Sequence, residues 1–231
     1  MQALVRSWNV FHGNAVPPTR RGYLREMVEL ATDDGPAILC LQEVPVWALN
    51  HLAGWSGMQA HWLVARKPTR PAGLAAAITR LDNGFFRSRL AGQANAILVD
   101  RSLPSTGLGG VKISDEGRER RVVHAVRVEQ IGVVGNLHAS NTAPNIVTPE
   151  LERARAFIDG LGAPGEPRII AGDFNLAHPA LPGYENGGPG PDHILVACAA
   201  AEPSMTWEHG RRVVAELVLS DHAPVERRIG R

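Results

Sequence analysis

The stretch Arg168-Ile169-Ile170-Ala171-Gly172-Asp173-Phe174-Asn175-Leu176 constrains this chain more than any other. Ile169, Ile170 and Ala171 read as the end of a buried strand, and Gly172 ends the apolar run. Asp173 and Asn175 follow two apart, and in extended backbone such side chains project on one side. A carboxylate and a carboxamide would then leave the sheet end together, facing one ligand. The pair joins a metal-seeking oxygen to a neutral hydrogen-bonding group, which suits a phosphate held beside a hard cation. An Asp/Asn turn closing the strand uses the same residues, so the remainder of the chain has to decide.

That remainder alternates strand-like and helix-like segments. Strands are expected over residues 3–8, 37–41, 73–79, 93–99, 121–128, 131–137, 193–197, 213–219 and 224–228, besides the one before Asp173. Leu24, Met27, Val28 and Ala31 mark the apolar face of a helix over 23–31. A second short helix follows Pro45. A third opens at Thr148-Pro149-Glu150, with Thr148 as cap and Pro149 in the first turn, and runs to Leu161. Residues 10–21, 103–117 and 177–191 read as loops. No repeat or linker divides the chain, so residues 1–231 are expected to form a single domain.

Composition excludes several classes. An apolar fraction of 44% is ordinary for a soluble globular protein, and a formal net charge of +1 gives no global field toward nucleic acid or membrane. Lys67 and Lys112 are the only lysines among 24 basic side chains. An arginine excess suits phosphate recognition through its planar fork; a GC-rich coding bias produces the same excess. Cys40 and Cys198 lie in apolar runs and read as buried, reduced thiols. No run approaches the ~18 apolar residues of a membrane span, and no leader pattern follows Met1. A soluble, cytoplasmic monomer is expected.

Asn9, Glu43, His138, Asp173, Asn175, Asp192, Asp221 and His222 all fall at edges of strand-like runs. The segments that carry them are Ser7-Trp8-Asn9-Val10, Leu41-Gln42-Glu43-Val44, Asn136-Leu137-His138, Gly172-Asp173-Phe174-Asn175, Asp192-His193-Ile194-Leu195-Val196 and Ser220-Asp221-His222-Ala223-Pro224-Val225. In this order they resemble the motifs of the endonuclease/exonuclease/phosphatase superfamily. The resemblance implies a four-layer α/β sandwich, two mainly antiparallel sheets packed face to face with helices outside, and an active site at one edge. It implies Mg²⁺ held by Glu43 with Asn9 and Asp221 nearby, and Mn²⁺ as a substitute. Asp173 matches the residue that orients or deprotonates water, and Asn175 one that positions phosphate or nucleophile. His222 matches the catalytic histidine, with Asp192 holding its ring. His138 matches a histidine that donates to a phosphate oxygen in deoxyribonuclease-like and sphingomyelinase-like members. Asn95, in Gln-Ala-Asn-Ala-Ile-Leu, resembles a cleft-lining segment.

The chemistry is coherent without the resemblance. Attack of water on an anionic phosphodiester needs charge neutralised and a nucleophile made at neutral pH. A histidine fixed by a carboxylate is a poised proton carrier. Arg66, Lys67 and Arg70, and the pair Arg87 and Arg89, have few acids beside them and are the phosphate-backbone candidates. Arg118, Arg120 and Arg121, interleaved with Glu116 and Glu119, read as a solvated face, and His12 as a solvated loop residue within reach of the cleft. The expected function is a Mg²⁺-dependent phosphodiesterase, a nuclease acting on DNA. The alternative is hydrolysis of a small-molecule or lipid phosphoester. A non-catalytic binding module would have lost these ligands.

Overall fold

The computed structural model describes residues 2–69, 71, 73–74, 77–78, 90–185, 187–188 and 190–230. Fourteen strands occur among these residues: β1 (Gln2–Asn9), β2 (Ala15–Val16), β3 (Ile38–Val44), β4 (Gln59–Arg66), β5 (Gln93–Val99), β6 (Ser105–Lys112), β7 (Val122–Val128), β8 (Gly132–His138), β9 (Arg168–Asp173), β10 (Asp192–Ala197), β11 (Met205–Thr206), β12 (Val213–Val214), β13 (Leu217–Leu219) and β14 (Val225–Gly230). The helices α1 (Leu24–Thr32), α2 (Leu52–Ser56) and α3 (Pro144–Leu161) lie between them. One sheet has the order β11-β14-β1-β3-β5-β4 and the other β10-β9-β8-β7-β6; β12-β13-β2 form a small third sheet. Each large sheet has one parallel pair, β1 with β3 and β8 with β9, among antiparallel neighbours.

Side-chain alternation along these strands makes three apolar layers. Ala3, Val5, Ile38, Cys40, Ile97 and Val99 meet Val126, Val134, Ile169, Ala171, Ile194 and Val196 between the sheets. The opposite face of the first sheet packs Leu39, Leu41 and Leu98 on Leu24, Met27 and Val28 of α1. The opposite face of the second packs Val133, Leu137 and Ile170 on Val147, Leu151, Ala154 and Ile158 of α3. Two sheets face to face with helices outside is the sandwich expected from the sequence. No helix among the described residues is long and apolar enough to cross a membrane.

The filling between the sheets turns polar at one edge. Asn136 of β8 is fully buried, and its Nδ2 crosses to the other sheet to donate to Leu41 O (2.9 Å) and Ala96 O (2.8 Å). Its Oδ1 accepts from Gln42 Nε2 (2.8 Å), which also reaches Ser7 Oγ (3.1 Å). The β3–β5 register shifts between Leu41 and Val44, so Asn136 ties the sheets together where the ladder opens.

Several expectations are corrected. Gly73, Leu74, Ala77 and Ile78 are helical, not extended; their alanine-rich run has strong helix propensity. The loop expected over 103–117 contains β6, an exposed edge strand whose Gly110 packs so tightly that a Cβ would stand 2.2 Å from Val123 O. The single strand expected over 213–219 is a hairpin, β12 to β13, turning at Ala215 (φ 49°) and Glu216 (φ 67°) without Gly or Asn. The 10–21 loop holds β2, residues 59–66 form the additional strand β4, and α3 starts at Pro144 with Pro149 inside it; Cys40 is buried as expected, but Cys198, just past the end of β10, is exposed.

Asn136→Ala leaves two buried carbonyls and the Gln42 amide without their shared partner. It is expected to cost about 3 kcal/mol of stability, read as a lower urea midpoint at unchanged slope. A loss under about 1 kcal/mol would mean that the amide bridge is not what joins the sheets there.

Candidate active site

The topology explains why the polar edge collects reactive groups. Asn9, Glu43, His138 and Asp173 lie at the carboxyl ends of β1, β3, β8 and β9, the four strands of the two parallel pairs. Asp192 opens β10, antiparallel to β9 and opposite Asp173. Asp221 and His222 precede β14, antiparallel to β1. Asn9, His138, Asp173 and Asp192 continue the stripes that line the inter-sheet layer, so alternation alone aims them inward. Glu43 does not: alternation points it with Leu39 and Leu41, toward α1. The ladder irregularity and a left-handed backbone (φ 57°) turn it into the site instead.

The contacts are close. Asn9 Nδ2 donates to Asp173 Oδ2 at 2.9 Å and lies 3.4 Å from Glu43 Oε1. His138 Nε2 stands 3.5 Å from Asp173 Oδ2 and 3.9 Å from Glu43 Oε1. His222 Nε2 is 3.8 Å from Asp173 Oδ2, while its Nδ1 meets Asp192 Oδ2 at 2.7 Å. Asp173, Asp192 and His222 present ligand atoms within 4.8 Å of one another. Asp221 is exposed beside them, with Ser220 Oγ 3.4 Å from its Oδ1.

Backbone anchors hold these groups still. Ser220 Oγ donates to Asn9 O (2.7 Å) and accepts from His222 N (3.1 Å). Trp8 Nε1 donates to His222 O (2.9 Å), and Arg212 Nη1 donates to Ser220 O (2.7 Å) and Leu219 O (3.1 Å). Beyond His138, the buried Glu150 of α3 accepts from Ser140 N and Ser140 Oγ, both at 2.8 Å.

Asp173 and Asn175 do not project together from extended backbone. The strand ends at Asp173, and Asn175 is left-handed (φ 49°). Asn175 N donates to Asp173 Oδ1 (3.0 Å), the Asp/Asn turn that the sequence left open, and Asn175 Nδ2 donates to Ala139 O (3.0 Å). Asn95 is buried in the inter-sheet layer, its amide donating to Val122 O (3.0 Å). Arg66 pairs with Glu119 at 3.4 Å. Arg70, Arg87 and Arg89 lie outside the described residues.

Two residues whose sequence context suggests a solvated position are buried at this edge. His12 is buried, with Nε2 3.2 Å from Glu43 Oε2. Arg121 is only 9% exposed; its Nη2 donates to Glu119 (3.2 Å), and its Nε and Nη1 have no hydrogen-bond partner among the described residues. Its charge is felt at Glu43 and His138. The nearby glutamates hid Arg121. The pattern Asn9-x-x-His12-Gly13 was a signal for His12, because Gly permits the tight turn that swings it inward.

The electrostatics separate the histidines. Burial, with the charges of Arg121, His222 and His12, pushes His138 well down, so it is neutral at pH 7. Burial also lowers His222, but the Asp192 hydrogen bond and the charges of Asp192, Asp173 and Asp221 outweigh it, raising its pKa to about 9. Burial lifts Asp173 to about 6, with the Asp192 charge adding to it. Burial and the charges of Asp173 and Asp221 raise Glu43 against the Asn9 hydrogen bond. Crowded, dehydrated carboxylates of this kind fit a hard divalent cation, which relieves their mutual repulsion. A cavity of about 260 Å³ opens beside His222, lined by Pro191, Asp192, Thr206, Asp221 and Val225.

The sequence profile of the Endonuclease/Exonuclease/phosphatase family matches residues 7–222, and the chain belongs to that family. It is accordingly a phosphoester hydrolase. No curated protein matches it in sequence. Among solved structures, an endonuclease/exonuclease/phosphatase from Beutenbergia cavernae is similar with a TM-score of 0.70 at 16% identity, over 99% of this chain and 71% of the other. A humanized TDP2 from D. rerio gives 0.69 at 14% identity, over 100% and 99%. A mannosyl-6-phosphatase from Bacteroides thetaiotaomicron gives 0.68 at 15% identity, over 99% and 100%. At such identities the likeness is one of fold.

A raised histidine adds stability that is present in full below its ordinary pKa of 6.5 and lost as pH climbs through about 9. NMR titration of the metal-free protein should find His222 still an imidazolium at pH 7.5. Asp192→Asn should bring its midpoint down and flatten the alkaline decline in melting temperature. Equal midpoints in the two proteins would remove Asp192 as the cause.

Proposed function

We propose that this chain is a Mg²⁺-dependent phosphodiesterase, with Mn²⁺ able to replace Mg²⁺, and that its substrate is nucleic acid, DNA foremost. The observation that carries the reading is the meeting of Asn9, Glu43, Asp173, His138 and the His222–Asp192 pair within hydrogen-bonding or near-contact distances. Glu43, with Asn9 and Asp221, would hold the cation, which supplies charge neutralisation and a more acidic water. Asp173, ionised at neutral pH and buried, takes the proton of the attacking water. His222, whose pKa is raised against burial to about 9 by Asp192 and the nearby acids, acts as the donor, to a phosphoryl oxygen or to the leaving oxygen. Asp192 keeps it charged and oriented. His138, neutral, donates through one ring nitrogen, and the buried Arg121 contributes its positive charge beside Glu43 and His138. Asn175 acts by fixing the turn that carries Asp173.

DNA is favoured by two arginines at the end of β4, Arg66 and the exposed Arg120, with the charge of the buried Arg121 behind them. A specific observation supports the second reading, a small-molecule or lipid phosphoester. Arg66 and Arg121 both spend charge on Glu119, which weakens any track for a long polyanion. The mannosyl-6-phosphatase on the same fold supports it as well.

The test is a panel of plasmid, abasic-site duplex and single-stranded DNA beside sugar phosphates, inositol phosphates and sphingomyelin, with Mg²⁺, Mn²⁺ or chelator. Chelator-sensitive DNA cleavage is expected. Turnover confined to small or lipid phosphoesters would replace DNA by the second reading, and silence across the panel would sink both. Asp173→Ala and His222→Ala should each lower turnover by about 10²–10⁴-fold with the fold intact by circular dichroism. Wild-type rates in either would contradict the roles given.

A further inference from the structure

Three consecutive residues just past β1 are left-handed: Phe11 (φ 47°), His12 (φ 54°) and Gly13 (φ 80°). For Phe and His this backbone is strained, and it persists only where the surroundings over-determine it. Here they do. Phe11 N donates to Asn9 Oδ1 (3.0 Å), and Phe11 O accepts from Asn14 N (2.9 Å) and Asn14 Nδ2 (2.7 Å). Gly13 O accepts from Tyr23 N (2.8 Å), and Asn14 O from Ser220 N (3.0 Å). Gly13 is required by contact as well as by φ, since a Cβ there would stand 2.8 Å from Leu24 Cβ. What the strained turn achieves is to bury the His12 ring at 5% exposure, with Nε2 3.2 Å from Glu43 Oε2.

We propose that His12 is a further ligand of the cation held by Glu43, and that its imidazole nitrogen shifts the site's preference from Mg²⁺ toward Mn²⁺. This rests on the metal-dependent reading above. Two donor atoms on adjacent corners of a six-coordinate ion, each about 2.1 Å from it, stand about 3.0 Å apart. The 3.2 Å between His12 Nε2 and Glu43 Oε2 matches that edge. Glu43 divides its oxygens: Oε1 faces Asn9 and His138, at 3.4 and 3.9 Å, and leaves Oε2 to His12. Both ions take oxygen ligands, but Mg²⁺ holds to its waters whereas Mn²⁺, a first-row transition ion, also accepts an imidazole nitrogen. A nitrogen donor in an otherwise all-oxygen set therefore discriminates between the two ions. A histidine that only hydrogen-bonds Glu43 would affect both ions alike.

Calorimetric titration of the metal-free full chain with MgCl₂ and with MnCl₂, at one pH, tests this. The proteins are wild type, His12→Asn (Asn tolerates left-handed backbone), His12→Gln and Glu43→Gln. His12→Asn should weaken Mn²⁺ by about tenfold or more and Mg²⁺ by less than about threefold. Equal losses for both ions, or no loss, overturn the proposal. Wild-type affinity for both ions in Glu43→Gln would sink the cation site itself, which is a separate failure. Electron spin-echo modulation of Mn²⁺ bound to the wild type should show a directly coordinated ¹⁴N that weakens in His12→Gln. Absence of that nitrogen overturns the proposal even if neither variant folds.

Discussion

Asn136 does for this molecule what an apolar residue at its position could not. The two sheets are joined over most of their facing area by aliphatic side chains, which hold surfaces together but do not fix them to a fraction of an ångström. Near the active edge that filling is replaced by one amide spanning from β8 to carbonyls of β3 and β5, with Gln42 bound back to it. The bridge sits where the β3–β5 ladder changes register, the irregularity that brings Glu43 round from the helix-facing side. Sheet spacing, the bulge and the position of the Glu43 carboxylate are therefore one coupled arrangement. A hydrolase needs such stiffness, because its groups act only when held near productive geometry.

The charges at this edge are arranged against one another. Burial alone would push Glu43, Asp173, Asp192, His138 and His222 toward their neutral forms. His222 escapes because Asp192 is bound to it at 2.7 Å, and His138 does not because no comparably close carboxylate holds it. Two imidazoles a few ångströms from the same aspartate thus carry different charge at neutral pH, and so have different chemistry open to them. Glu43 and Asp173 repel each other, offset by Arg121 and the Asn9 amide at Glu43 and by His222, the Asn9 amide and the Asn175 N–H at Asp173. The deficit of positive charge is local. Elsewhere on the surface, arginines such as Arg25, Arg153 and Arg155 lie in ion pairs with nearby acids.

How much could be read in advance depended on whether a residue's neighbours lie close in the chain. β5, β7, β8, β9 and β10 are buried strands dense in Val, Ile and Ala, and their positions were legible to within a residue or so. The edge strands, half-buried β4 and exposed β6, were not, since water on one side removes the apolar pattern that marks a strand. The hairpin at Ala215 and Glu216 has no Gly or Asn to announce it, and residues 73–79 are apolar enough to suit either helix or strand. The polar residues at strand ends were visible because parallel strands deliver their carboxyl ends to one side. His12 and Arg121 were misjudged for the same reason: their reading rested on local company, and their burial comes from elements far along the chain.

The amino-acid order by itself determined the α/β class, the stripes that must face inward, and the family, through six short motifs spread from Ser7 to Val225. These follow from alternation and residue chemistry, which are local. Only the tertiary structure decided that Glu43 turns against its strand's alternation, that Asn175 is spent on the turn beneath Asp173, and that Arg121 and His12 are interior residues. Each of these depends on which distant backbone lies opposite: the second sheet across Asn136, Ala139 beside Asn175, and the Ser220 turn against Asn14. Contacts of that kind are set by how the sheets pack, and no window of neighbouring residues contains them.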